Sequence, residues 1–183
     1  MLVILFGVSC VGKSTLIQEL RSQFGWQSIP TYMTRCLRLG ETEKISVSNT
    51  DFIEMENKNL FICANHLFGN KYGTPRKEIE LAVQDQESYW ILDFPISAKD
   101  LLNDYRYLGF IILPQSEKQL IEQVKCSNRI DRLESILQEY RNYYAKYHNW
   151  KQDNTSHIPV VNLPNRLNET SKTIYLLTTK FSV

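Results

Sequence analysis

The chain has almost no net charge: 21 Lys and Arg against 20 Asp and Glu leave +1 over 183 residues. That balance supplies no bulk electrostatic pull toward nucleic acid or an anionic membrane, so any anion must be held by a local arrangement. Cysteine is scarce and unpatterned. Cys10, Cys36, Cys63 and Cys126 show neither CxxC spacing nor a neighbouring His-x-x-His pair, which argues against a zinc site. Free thiols in a reducing cytoplasm are the expectation. No apolar run approaches the ~20 residues of a spanning helix, and no internal repeat or low-complexity tract is present. His66, His148 and His157 fall in no pattern that carries chemistry.

What is present suffices for one folded domain with a sizeable core, since 43% of residues are hydrophobic and 11% aromatic. Met1 to Cys10 superficially resembles a short leader ending at a cysteine, yet no Lys or Arg precedes its apolar stretch. Leu2 to Phe6, stopped by Gly7, reads instead as a buried parallel strand. Ser14 to Phe24 places Leu16, Ile17 and Leu20 at helical spacing. Further strands are expected at Tyr89–Asp93, Phe110–Pro114 and Ile158–Asn162. Helices are expected at Arg76–Val83, Ala98–Asp104, Glu117–Lys125, Ile130–Tyr147 and Leu167–Leu177. This alternation predicts an α/β fold with a three-layer parallel-sheet core. Thr31 to Gly73 breaks it: a polar insertion with short strand-like pieces at Lys44–Val47 and Leu60–Cys63, and Phe52, Phe61 and Phe68 for packing. Tyr140, Tyr143, Tyr144, Tyr147 and Trp150 fall at helical spacing and read as packing.

Gly7-Val8-Ser9-Cys10-Val11-Gly12-Lys13-Ser14 satisfies GxxxxGK[ST] between a strand and a helix, and Thr15 follows. Such a loop turns backbone N–H groups onto phosphate oxygens, and the helix N-terminus adds positive potential. Lys13 would reach the β- and γ-phosphates of ATP, and Ser14 would offer its hydroxyl to Mg²⁺. Asp93 closes a hydrophobic strand, where it either holds the Mg²⁺ shell through water or serves as a turn residue before Phe94-Pro95.

Thr34-Arg35-Cys36-Leu37-Arg38-Leu39-Gly40-Glu41 resembles the T-R-x-x-R-x-G-E motif of the guanylate kinase family, and Gly69-Asn70-Lys71-Tyr72-Gly73-Thr74 resembles its G-N-x-Y-G-[ST]. Ile91-Leu92-Asp93, Phe110 to Ser116 and Val160-Val161-Asn162 follow in that family's order, so the resemblance covers nearly the whole chain. It implies a kinase with a P-loop core (residues 1–30 and 74–183), an acceptor-binding lobe (about 31–73) and a short lid (about 125–132). Arg35, Arg38 and Tyr72 would clamp the acceptor phosphate, while Thr31 and Thr74 would line its pocket. Two arginines three residues apart can converge on one phosphate. In the lid, Arg132 and Arg129 would stabilise the transferring phosphoryl group, with Lys125 and Arg141 in reserve. Arg129 fits equally well a helix-surface pair with Asp131 or Glu134. Asn162 matches a position near the adenine of ATP.

The resemblance fails at the base. The family reads guanine with carboxylates, and the matching positions here are Cys63 and Pro95, while Lys44 replaces an aromatic phosphate ligand. GMP is therefore expected to be a poor acceptor. The ribose 1,5-bisphosphate phosphokinase branch lacks the same carboxylates, so a sugar-phosphate acceptor remains an alternative to a nucleoside monophosphate. A third reading is a non-catalytic phosphopeptide-binding module, against which the intact Gly12-Lys13-Ser14 argues. No nucleic-acid or membrane partner is expected, the location is cytoplasmic, and a homodimer is allowed.

Overall fold

All five residues of Leu2 to Phe6 are apolar, and in the computed structural model all five are buried, as β1. The structure describes residues 1–145, 147 and 157–181; His148 and Trp150 lie outside them. The strand β1 is flanked in parallel by β7 (Trp90–Asp93) and β8 (Tyr107–Pro114). With β2 (Gln27–Ser28) and β9 (His157–Asn162) at the edges, the sheet order is β2-β7-β1-β8-β9, every pair parallel. A strand buried on both faces needs helices over both, which explains its unbroken apolar sequence. Those helices are α1 (Lys13–Phe24), α3 (Arg76–Gln84), α4 (Glu117–Cys126), α5 (Leu133–Glu139) and α6 (Leu167–Phe181). The α/β expectation holds. Phe24 of α1 stacks on Tyr175 of α6 at 4.3 Å, which fixes the two helices side by side.

Thr31 to Pro75 forms a second, mixed sheet of order β4-β3-β6-β5, from β3 (Thr31–Met33), β4 (Lys44–Ser46), β5 (Phe61–Leu67) and β6 (Asn70–Pro75). Its small core is aromatic. Phe52 is fully buried and meets Phe61 with ring centroids 4.8 Å apart. Phe52 lies on α2 (Asn49–Asn57), an element the sequence reading did not anticipate, whose Ser48 cap accepts the Asp51 N–H at 3.0 Å.

Two expected helices take other forms. Ala98–Asp104 is a 3₁₀ run, Ile96–Leu102, in which buried Ile96 and Leu102 lie two three-residue turns apart. Ile130–Tyr147 divides into a 3₁₀ turn (Ile130–Arg132), α5 and a π-helical turn (Tyr140–Tyr144). The wider π turn keeps Tyr140 and Tyr144, four residues apart, both buried. Among the described residues no helix is long and apolar enough to cross a membrane.

Candidate active site

The register of β1 and β7 pairs Leu5 with Asp93, so the loop after β1 and the carboxylate ending β7 meet at the same sheet edge. Open parallel sheets bind ligands at that edge, beyond the carboxyl ends of their strands. Gly12 takes φ 97° and leads into α1 with no side chain capping the helix. The first-turn N–H groups are thus left for another acceptor. A Cβ on Gly12 would sit 2.5 Å from Asn162 Nδ2, so a glycine is required there on two counts. Lys13 folds back into its own loop, donating to the carbonyls of Gly7 and Val8, and its Nζ lies 3.7 Å from Asp93 Oδ1.

A cavity of about 520 Å³ runs from this loop to the second sheet. Gly7, Ser9, Cys10, Gly12, Lys13, Ser14, Thr15 and Asp93 border it on the core side. On the other side stand Thr31, Arg35, Arg38, Lys44, Tyr72 and Thr74, and Arg129 and Arg132 also border it. Of the residues given a role in the site, Val11, Asn162 and the reserve cations Lys125 and Arg141 do not border the cavity. Val11 is fully buried under the loop. Asn162 is 2% exposed and donates to the Val11 carbonyl at 2.8 Å, so it braces the loop from behind and does not border the cavity.

Arg35 is held rigidly. Its guanidinium grips Glu41 through two bonds of 2.6 and 2.7 Å, and the Arg38 backbone N–H donates to the same carboxylate at 2.8 Å. Burial acts to raise the Glu41 pKa, but the Arg35 bonds and the Arg38 N–H prevail and hold it at about 2. Thr34 fastens the segment to β6 by accepting the Lys71 N–H at 3.0 Å. Gln18 and Arg21 of α1 donate to the Gly40 carbonyl and the Thr42 hydroxyl at 2.8 and 3.0 Å, closing this loop onto the core.

Residues of the 125–132 segment approach from a third direction. Arg129 Nη1 donates to Cys10 Sγ at 3.3 Å, across the mouth of the glycine loop. Arg132 lies over the Phe68 ring at 4.5 Å, joining this segment to the tip of the second sheet. Lys125 is exposed and does not border the cavity, and Arg141 is engaged by Glu117. Three carboxylates were not singled out: Glu41, Glu43 and Glu139. Glu139 borders the cavity, and its pKa is raised by burial and by Asp93, against the pull of Lys13. Its signal was available, because it follows Arg132 by seven residues, two helical turns. Glu41 stood inside the quoted motif without a role.

The guanylate kinase family model matches residues 1–172. A guanylate kinase of Clostridium tetani is 29% identical over 159 residues, covering 80% of this chain and 75% of that protein. One from Prochlorococcus marinus is 29% identical over 131 residues, covering 68% and 70%. The crystal structure of guanylate kinase from Anaplasma phagocytophilum aligns over 100% of this chain and 86% of its own with TM-score 0.69; at 18% identity this speaks for the fold. A match spanning both sheets, the glycine loop and the arginine segment leaves one assignment: the chain belongs to the guanylate kinase family.

Proposed function

We propose that this ATP-dependent nucleoside monophosphate kinase places its two substrates at the two ends of the cavity, with ATP on the glycine loop and the acceptor phosphate on Arg35, Arg38 and Tyr72. The observation that carries the proposal is that Lys13 and the arginine pair border one continuous cavity. An acceptor phosphate is already ionised, so its oxygen can attack the γ-phosphorus with no base, while the bond to the departing ADP breaks. The protein's work is then positioning and charge stabilisation.

Each cation has a part in that work. Lys13 bridges the β- and γ-phosphates, with the backbone N–H groups from Ser9 to Thr15 and Gly12's tight turn forming the cradle. Arg129 and Arg132 meet the charge that spreads over the phosphoryl oxygens. Lys44 lies where it can supplement the phosphate clamp, and Thr31 and Thr74 are buried hydroxyl residues on the acceptor side. Ser14 and Asp93 are hard oxygen donors beside Lys13, the donor set that suits Mg²⁺ with water completing its shell. When bound there, Mg²⁺ neutralises charge on the phosphate oxygens. Asn162 supports ATP binding indirectly, by fixing Val11.

A coupled ADP-release assay over nucleoside monophosphates and ribose phosphates tests the reading. Turnover with a nucleoside monophosphate is expected, and Lys13→Ala should lower it by about 10²-fold or more while the melting temperature holds. Turnover with ribose phosphates alone would favour the sugar-phosphate alternative. Neither ADP release nor thermal stabilisation by ATP with Mg²⁺ would point to a binding module.

A further inference from the structure

Cys10 takes φ 69°, a left-handed backbone conformation that a side chain rarely adopts and that glycine would take without strain. The loop nevertheless carries a side chain there, and that side chain is engaged. Its Sγ lies 3.3 Å from Arg129 Nη1 and 3.4 Å from Ser127 Oγ. Both partners sit on the turn that ends α4, whose geometry is fixed independently. Asn128 is left-handed at φ 54°, its N–H donates to the Lys125 carbonyl at 3.0 Å, and the Arg129 N–H donates to the Val124 carbonyl at 3.2 Å. That pair of bonds is a Schellman ending, anchored on the fully buried Val124. The protons can then be assigned. The single Ser127 hydroxyl proton goes to the Val124 carbonyl at 2.9 Å, so the thiol donates to Ser127 Oγ and its sulfur accepts from Arg129.

We propose that Cys10 is a positioning residue for phosphoryl transfer, its thiol holding the Arg129 guanidinium over the ATP end of the cavity. The inference rests on the proposed function, in which ATP lies on the glycine loop and Arg129 meets the transferring phosphoryl group. Among the described residues no carboxylate pairs with Arg129, and Asp131 pairs instead with Arg132. A carboxylate would fix the guanidinium but cancel the charge for which it is needed. A thiol sulfur is a weak, uncharged acceptor, so it orients Arg129 without neutralising it. The same cation is felt at the acceptor end. Burial first, and then the charge of Arg129, pull the Arg38 guanidinium below its ordinary pKa. Arg129 thus touches the glycine loop at Cys10 and acts on the acceptor arginine across the cavity that all three border, where the phosphoryl group has to cross.

The test is a double-mutant cycle on Cys10 and Arg129, read by steady-state ADP release with ATP, Mg²⁺ and whichever of GMP, AMP, CMP and UMP the wild type turns over fastest. Cys10→Gly should lower kcat about 5- to 10-fold and leave the ATP KM within about twofold. It should melt no lower than wild type, because glycine suits φ 69°. Cys10→Ser, which keeps a donor and an acceptor, should recover at least half of the loss on a logarithmic scale. With Arg129→Ala already in place, Cys10→Gly should change kcat by less than about twofold. An unchanged kcat in Cys10→Gly or in Arg129→Ala overturns the proposal. So does an undiminished loss on adding Cys10→Gly to Arg129→Ala, which would assign the effect to the loop backbone. Should Cys10→Gly fail to fold, Cys10→Ala takes its place in the cycle under the same criteria. A wild type that turns over none of the four nucleotides overturns the kinase reading itself, and Cys10's role with it.

Discussion

Glu41 shows how much of this site lies behind its cavity-facing arginines. Its carboxylate joins Arg35 and the Arg38 backbone, so both arginines are presented in one orientation before any phosphate arrives. Glu41→Gln should raise the acceptor KM about tenfold, the scale of one charge-assisted hydrogen bond, and leave the ATP KM unchanged. A matching rise in both constants would assign Glu41 to the wrong substrate. The acid behaviour follows from the same contacts. The folded-state pKa lies near 2, below the ordinary 4.5, so the unfolded chain binds the proton more readily. Glu41 thus stabilises the fold above about pH 4.5, and that contribution is lost as pH falls from 4.5 through 2. The melting-temperature gap between wild type and Glu41→Gln should close across that window. At this scale the sequence was generous. The glycine loop, both arginines, Tyr72 and Asp93 all border one cavity, because motif chemistry requires a fixed order of residue types. Glu43 and Glu139 escaped notice because what marks them, burial beside a cavity, exists only after folding.

Among the elements, the β5–β6 hairpin is packed too tightly to admit a side chain at Gly73. A Cβ on Gly73 would lie 2.6 Å from the Phe61 ring, itself wedged between Phe52 and Tyr32. Gly73→Ala should therefore cost about 1–3 kcal/mol, the price of overpacking a filled core. Urea unfolding followed by Tyr and Trp fluorescence would measure it, and a loss below 0.5 kcal/mol would show that the ring moves aside freely. The parallel core was legible because buried strands announce themselves as apolar runs and its helices by their spacing. The second sheet was less so. Strand β4 (Lys44–Ser46) falls within the expected Lys44–Val47, but β3, also three residues, is too short for alternation to register. Helix α2 was announced chiefly by Ser48 and Asp51 at cap spacing, in a stretch whose polarity suggested loop. The 3₁₀ and π turns lie beyond periodicity altogether, since tertiary burial of Ile96, Leu102, Tyr140 and Tyr144 selects them.

At the scale of the molecule, Ile62 and Cys63 of β5 pack into the main core, and side-chain ties that further join the second sheet's lobe to the rest include Gln18 to Gly40, Arg21 to Thr42, and Arg132 on Phe68. Each is the kind of contact worth about 1 kcal/mol, weak enough to open and close within a catalytic cycle. Phe68→Ala should loosen the lobe selectively. Backbone amides of β5 and β6 are expected to exchange hydrogen several-fold faster, while those of β1 and β8 keep their protection. A uniform change across both sheets would mean the lobe does not move as a unit. These ties concern shape; the cations beneath them concern tempo. Lys13 is already bonded to its own loop carbonyls, and Arg129 to the Cys10 sulfur. An incoming phosphate must win each donor from a neighbour that takes it back as the product departs. In the proposed site such exchange would keep the net grip on either nucleotide modest, so dissociation would stay quick and the site would favour repeated cycles over retention.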